Sequence, residues 1–191
     1  METNRKETCA DKVHAACDSR LESIRIMLSP EESDVTLYDD GTLDTVLYCD
    51  DEEFRLSADA TMAYRDGDTG EMLYLDELIE SEFDHIRETM YERFCEYGLS
   101  FDYVEPETSE GQSEGYLRYQ ISYGGPSEEI RFYVSPGPNR WHLYRAEFWY
   151  LDWFDGAMVD VTNNSIVQTL YDHFNDCESV HYAIAASIGE L

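Results

Sequence analysis

Lysine is almost missing from this chain: Lys6 and Lys12 are the two among 191 residues, and eleven arginines supply the remaining positive charge. Against 42 Asp and Glu, these 13 bases leave a formal charge of −29. A chain so poor in bases has no face for phosphate contacts, which argues against direct nucleic-acid binding and against docking on an anionic membrane. No apolar run approaches the roughly 20 residues of a membrane span, and the N-terminus lacks the apolar stretch of a signal peptide. The cysteines Cys9, Cys17, Cys49, Cys95 and Cys177 are odd in number and include no CxxC, which argues against a disulfide scaffold and for a reducing cytoplasm. Hydrolase and phosphate-loop signatures are absent: there is no G-x-S-x-G, no H-E-x-x-H and no Walker-type glycine loop. The expectation is therefore a protein that is not an enzyme and needs no cofactor.

What is present is a chain able to fold. Hydrophobic residues make up 42% and aromatics 14%, enough for a core despite the charge. The length suits one compact domain, with or without a small appendage. The acids are unevenly placed. Residues 1–30 are neutral, whereas residues 31–115 carry 27 acids against Arg55, Arg65, Arg87 and Arg93, a net −23. A halophile's solubility coat would be spread more evenly. Concentrated like charge costs self-repulsion, and a positive partner relieves it.

Periodicity organises the chain as an N-terminal amphipathic helix (1–30) followed by a single α+β domain (31–191). In the first segment Cys9, Val13, Ala16, Cys17, Leu21, Ile24 and Leu28 recur at helical steps over 5–28, which suits a helical appendage or a dimer contact. Short strands with acidic turns follow at Val35–Tyr38, Thr42–Cys49, Phe54–Leu56 and Thr61–Tyr64, with Asp39-Asp40-Gly41 as a hairpin turn. Residues 74–97 carry an apolar helical stripe that runs from Leu75 to Tyr97 and suits packing on a sheet, with Gly98 as the C-cap. An antiparallel meander is expected over Ser100–Val104, Gly115–Tyr123, Glu128–Ser135 and Arg140–Leu151. Asn163 or Asn164 caps a helix over Ile166–Phe174, and Val180–Ile188 is apolar without a clear period. The fold class is thus an antiparallel sheet packed against a long acidic helix, with an N-terminal helix.

The sharpest feature lies on that long helix. Asp76, Glu80, Asp84, Glu88, Glu92 and Glu96 are each four residues apart, so successive carboxylates advance about 6 Å along the axis and rotate by about 40°. The row winds away from the apolar stripe, and Glu77 falls on its side. Phosphates along one DNA strand are spaced by roughly 6–7 Å, so such a row can occupy the same Lys and Arg pockets. Acids four apart repel one another, and helix stability alone favours lysines among them. A solvated helix face remains the plain alternative. A second cluster, Asp50-Asp51-Glu52-Glu53, lies between two expected strands and either extends this surface or forms a solvated loop.

Other constellations are weaker. Asp66, Asp68 and Glu77 fit positions of a calcium loop, but Glu71 stands where its glycine belongs. His173, Cys177 and His181 are four apart, with a helix end between them, and no paired spacing supports zinc. No metal is expected. The aromatic run from Trp149 to Ala157 either packs in the core at a strand end or contacts a partner.

In its size, its acidity, the ladder from Asp76 to Glu96 and its lack of a catalytic signature, the chain resembles the acidic anti-defence proteins of phages and mobile elements, the anti-restriction and anti-CRISPR DNA mimics. The likeness is one of physical type and centres on residues 31–115. The stretch Glu128–Ala157 also looks like segments of mobile-element proteins. The resemblance implies a cytoplasmic, stoichiometric inhibitor of a basic DNA-binding protein or nuclease complex, a Cas effector or a restriction enzyme. Its partner-binding residues would be Asp76, Glu77, Glu80, Asp84, Glu88, Glu92 and Glu96 with Asp50, Asp51, Glu52 and Glu53. The alternatives are an immunity protein for a basic nuclease toxin, a small enzyme using a carboxylate or metal site, and an acidic chaperone or adaptor for basic proteins.

Overall fold

The computed structural model describes residues 7–29, 36–37, 43–49, 52–58, 87–88, 90–138 and 140–189. The chain divides into two compact units, one reaching Leu21 and resuming at Glu96, the other spanning Glu22–Cys95.

The first unit is built on a five-stranded antiparallel sheet in chain order: β4 (Ser100–Val104), β5 (Tyr116–Ser122), β6 (Ser127–Pro136), β7 (Trp141–Asp152) and β8 (Asp155–Asp160). The meander read from the sequence is present, and the strand Ser100–Val104 has its expected limits. Strand β8 was not foreseen. Full registration from Asp152↔Asp155 to Glu147↔Asp160 makes this segment the edge partner of β7.

Alternation sends Leu117, Tyr119 and Ile121 of β5, Ile130 and Phe132 of β6, and Ala146 and Phe148 of β7 into the core. Helix α3 (Ser165–Asp176) buries Val167, Leu170, Tyr171 and Phe174. The Phe174 ring stacks on Phe101 at 4.2 Å and meets Tyr119 at 5.1 Å. The Tyr171 hydroxyl donates to the Trp141 carbonyl at 2.8 Å, which satisfies the one polar atom that this ring carries inward. Asn164 is the N-cap, its Oδ1 accepting from the Ile166 and Val167 N–H groups at 2.9 and 3.3 Å. Past Cys177, Glu178 adopts a left-handed conformation and turns the chain into α4 (Ser179–Ser187).

Helix α1 is Cys9–Leu28, against the expected 5–28. Thr8 and Asp11 explain the start: the Asp11 carboxylate accepts from both the Thr8 N–H and its hydroxyl, a capping arrangement that fixes the first turn. Cys9, Val13, Cys17 and Leu21 form its buried stripe. Within the sheet unit the helix is tied down by its Cys9 N–H, which donates to Asp155 Oδ2, and by Arg20, which reaches Glu128.

In the second unit, β1 (Thr36–Leu37), β2 (Leu43–Cys49) and β3 (Glu52–Ala58) form an antiparallel sheet. The Asp39-Asp40-Gly41 turn and the strand expected at Thr61–Tyr64 lie outside the described residues. So does most of the segment 74–97 expected to be helical; helix α2 comprises the described residues 87–88 and 90–97. Met90 and Phe94, one turn apart, are buried as the apolar stripe requires.

Gly98 follows α2 as expected, but for a different reason. It is the aromatic ring of Tyr119 that excludes a side chain there, since a methyl group on Gly98 would overlap this buried ring. Gly98→Ala is therefore expected to destabilise the protein by about 1–3 kcal/mol through overpacking. Asn164→Ala should cost about 1 kcal/mol through loss of the cap. Urea denaturation of both variants checks the order.

Candidate partner-binding surface

The sheet unit pairs its described arginines with its own carboxylates. Asp102 on β4 takes Arg118 of β5 in two bonds, at 3.1 Å to Nε and 2.9 Å to Nη2. Glu129 pairs with Arg131 at 2.6 Å, and the Arg131 guanidinium lies between the Tyr116 and Trp149 rings, 4.7 and 4.1 Å from their centroids. Glu147 accepts from the Tyr133 hydroxyl at 3.0 Å and from the Trp149 indole at 2.9 Å. Arg145 lies 3.7 Å over Tyr133 and donates to Glu114 at 2.7 Å. Its Nε is 3.3 Å from Glu147, off line for a hydrogen bond. Arg140 pairs with Asp172.

On α1, Arg20 donates from Nε to Glu128 at 2.8 Å and from Nη1 to the Tyr97 hydroxyl at 3.3 Å. Burial, the largest single influence, would lower the Arg20 pKa, but Glu128 and Tyr97 together outweigh it and raise it. Glu128 is nearly enclosed, its side chain 7% exposed. Every described arginine of this unit is thus matched to a carboxylate. A cleft of about 420 Å³ opens beside Arg131 and Arg145 under the Ser109–Glu114 loop. Both guanidiniums are already neutralised, so it offers an anion no free positive charge.

The α2 carboxylates differ. Glu88, Glu92 and Glu96 are exposed, opposite the buried Met90 and Phe94. Among the described residues no ion pair or hydrogen bond engages any of the three. A four-residue spacing along a helix gives the step of about 6 Å read from the sequence. Asp76, Glu77, Glu80 and Asp84 lie outside the described residues, as do Asp50 and Asp51. Glu52 and Glu53 are not part of a loop: they open β3, facing Cys49 and Tyr48. The reason is that Cys49 pairs with Glu52, so backbone pairing carries the strand into the charged stretch.

The aromatic run at the β7–β8 turn is also not core packing throughout. Trp149 and Tyr150 sit within β7, but Trp153 is 88% and Phe154 103% exposed. The available signal was the two-residue spacing between Asp152 and Asp155, which marks a hairpin tip. His173 and His181 fall on different helices, separated by the Glu178 turn. Among the described residues no group of three His, Cys, Asp or Glu gathers as a metal site. No described helix is long and apolar enough to cross a membrane.

Comparisons of the chain with protein-family models, with curated proteins and with solved structures returned no match.

Two outcomes separate matched from unmatched acids. Arg20→Met strands the buried Glu128 charge and should cost about 3 kcal/mol in urea denaturation, whereas Glu88→Gln, Glu92→Gln and Glu96→Gln together should leave the melting temperature unchanged. Asp155 is held below the ordinary aspartate value by the Cys9 N–H, and Glu114 below that of glutamate by Arg145 and Tyr144. A carboxyl lowered on folding stabilises the fold above its unfolded pKa, and that contribution disappears as pH falls through the lowered value. Carboxyl-carbon NMR titration should therefore show both groups still ionised below the usual carboxylate range.

Proposed function

We propose that the protein is a stoichiometric inhibitor that sets its acidic surface into the DNA-binding cleft of a basic defence nuclease, a Cas effector complex or a restriction enzyme, in the cytoplasm of a bacterial or host cell. The observation that supports this reading is the exposed row of acids on α2. In the sheet unit, carboxylates hold the arginines of their own fold. On α2, Glu88, Glu92 and Glu96 stand in solvent at a phosphate-like step with no described partner. Self-repulsion along such a row falls when a cationic groove takes it up.

In this reading the row continues back through Asp84, Glu80, Glu77 and Asp76 on one long acidic helix packed on a sheet. Asp50, Asp51, Glu52 and Glu53 lie at its margin. The reaction is pure competition. Lysines and arginines that hold DNA phosphates bind carboxylates instead, and no bond is made or broken. With a charge of −29, encounter is steered over long range and is slowed by salt within the Debye length.

The test is inhibition of DNA cleavage by purified complexes: a guide-loaded single-protein Cas effector, a Cascade-type complex with its nuclease, and a type I restriction enzyme. Inhibition of at least one at near-stoichiometric ratio is expected, weakening at least tenfold between 50 and 200 mM salt, the range over which several ionic contacts are screened. Glu88→Lys, Glu92→Lys and Glu96→Lys combined should abolish it in a folded protein. Full inhibition by the folded triple variant would remove α2 from the binding face.

A further inference from the structure

The end of the sheet where the β5–β6 and β7–β8 turns lie side by side carries three large apolar groups in solvent: Tyr123 (84% exposed), Trp153 and Phe154. Loose, disordered side chains would need no explanation, but this tip is built. Trp153 occupies the first place of a two-residue turn with φ 51°, a left-handed conformation that glycine adopts freely and that tryptophan pays for. Burial gives nothing in return, because the indole is outside the core.

The turn is fixed from two sides. Asp155 Oδ2 accepts the Cys9 N–H at 2.7 Å, which pins the hairpin to the start of α1. On the neighbouring turn, Gly125 comes so close that a methyl group there would sit 3.3 Å from Trp153 Nε1 and 3.6 Å from Asp152 Oδ1. Gly124 N–H donates to the Ser127 hydroxyl at 3.3 Å, closing the turn that presents Tyr123.

We infer that Trp153, Phe154 and Tyr123 form a preorganised anchor that inserts into an apolar pocket with a cationic rim on the nuclease bound by the acidic surface. The identity of that partner rests on the inhibitor reading above. The chemistry of the pocket rests on this tip. Aromatic side chains supply most of the binding energy in protein interfaces when desolvated, and a fixed turn avoids the ordering cost. Asp152 and Asp155 flank the aromatics, and Asp11 is near enough to press on the Asp155 charge. A rim of lysine or arginine complements this ring of carboxylates. The same ring repels anionic lipid and sets a second copy of the chain acid against acid.

The experiment uses the full chain and the three nuclease complexes named above. The triple variant Trp153→Gly, Phe154→Ser, Tyr123→Ser should melt at or above the parent temperature, because glycine relieves the turn. A fall of more than about 4 °C would make these residues structural and overturn the anchor. Against a complex that binds the parent chain, the variant should bind about 30-fold more weakly, through faster dissociation and with an unchanged salt slope. Binding equal to the parent overturns the anchor while the inhibitor reading stands. Failure of the parent chain to bind any of the three removes that reading, and the assigned partner with it. A photo-crosslinking benzophenone at position 154 should label nuclease peptides bearing Lys or Arg. Labelling confined to a second copy of this chain, or to phosphatidylserine vesicles, assigns the tip to self-association or to lipid and overturns the inference.

Discussion

Arginine is the scarce component of this molecule, and its placement decides what the acids do. In the sheet unit Arg20, Arg118, Arg131, Arg140 and Arg145 each hold a carboxylate, and Arg131 and Arg145 also cover aromatic rings. The partly buried members, Arg20 with Glu128 and Arg131 with Glu129, are the ones a fold cannot lose without leaving a charge in an apolar setting. The arginines also lie across the strands: Asp102, Arg118, Arg131, Glu147 and Asp160 form one registered row from β4 to β8. Cross-strand attraction supports that register at the steps of opposite sign, Asp102 with Arg118 and Arg131 with Glu147, while Arg118 against Arg131 and Glu147 against Asp160 are like-charged steps.

A chain with 42 acids and 13 bases cannot repeat this arrangement everywhere. At one base per acid, at least 29 carboxylates go without. On α2 the apolar face is occupied by Met90 and Phe94, so the remaining face presents Glu88, Glu92 and Glu96 to water. Solvation tolerates such a row, and a cationic groove favours it more. The exposed aromatic tip supplies what charge alone lacks, since rim electrostatics mainly accelerate encounter while buried aromatics slow dissociation.

Much of the sheet was legible because its physics is local. Alternation in Leu117–Tyr119–Ile121 and Ile130–Phe132 marks strands that face a core, and Asn164 before an apolar helical run marks a cap. The start of α1 is marked by Thr8 and Asp11 and by Cys9, the first residue of the apolar period. Strand β8 was not readable, because its pairing comes from β7 and its own residues include Gly156 and two terminal aspartates. The role of Gly98 depends on Tyr119, a residue 21 positions away that only the folded sheet brings near. By composition the run around Trp153 fits either a core strand end or a partner contact. Its left-handed turn, which sends it outward, is a property of hairpin closure and leaves no mark on hydropathy. The ladder was legible as spacing, and three of its acids now have described, exposed positions.

The central claim is that carboxylates and DNA phosphates contend for one set of cationic pockets. Equilibrium binding of labelled DNA to the inhibited nuclease, measured at rising concentrations of this chain, tests it most directly. Competition for one cleft predicts that the apparent DNA dissociation constant climbs in proportion to the concentration of the chain, without a plateau. A plateau, with DNA and chain bound together, would contradict the account.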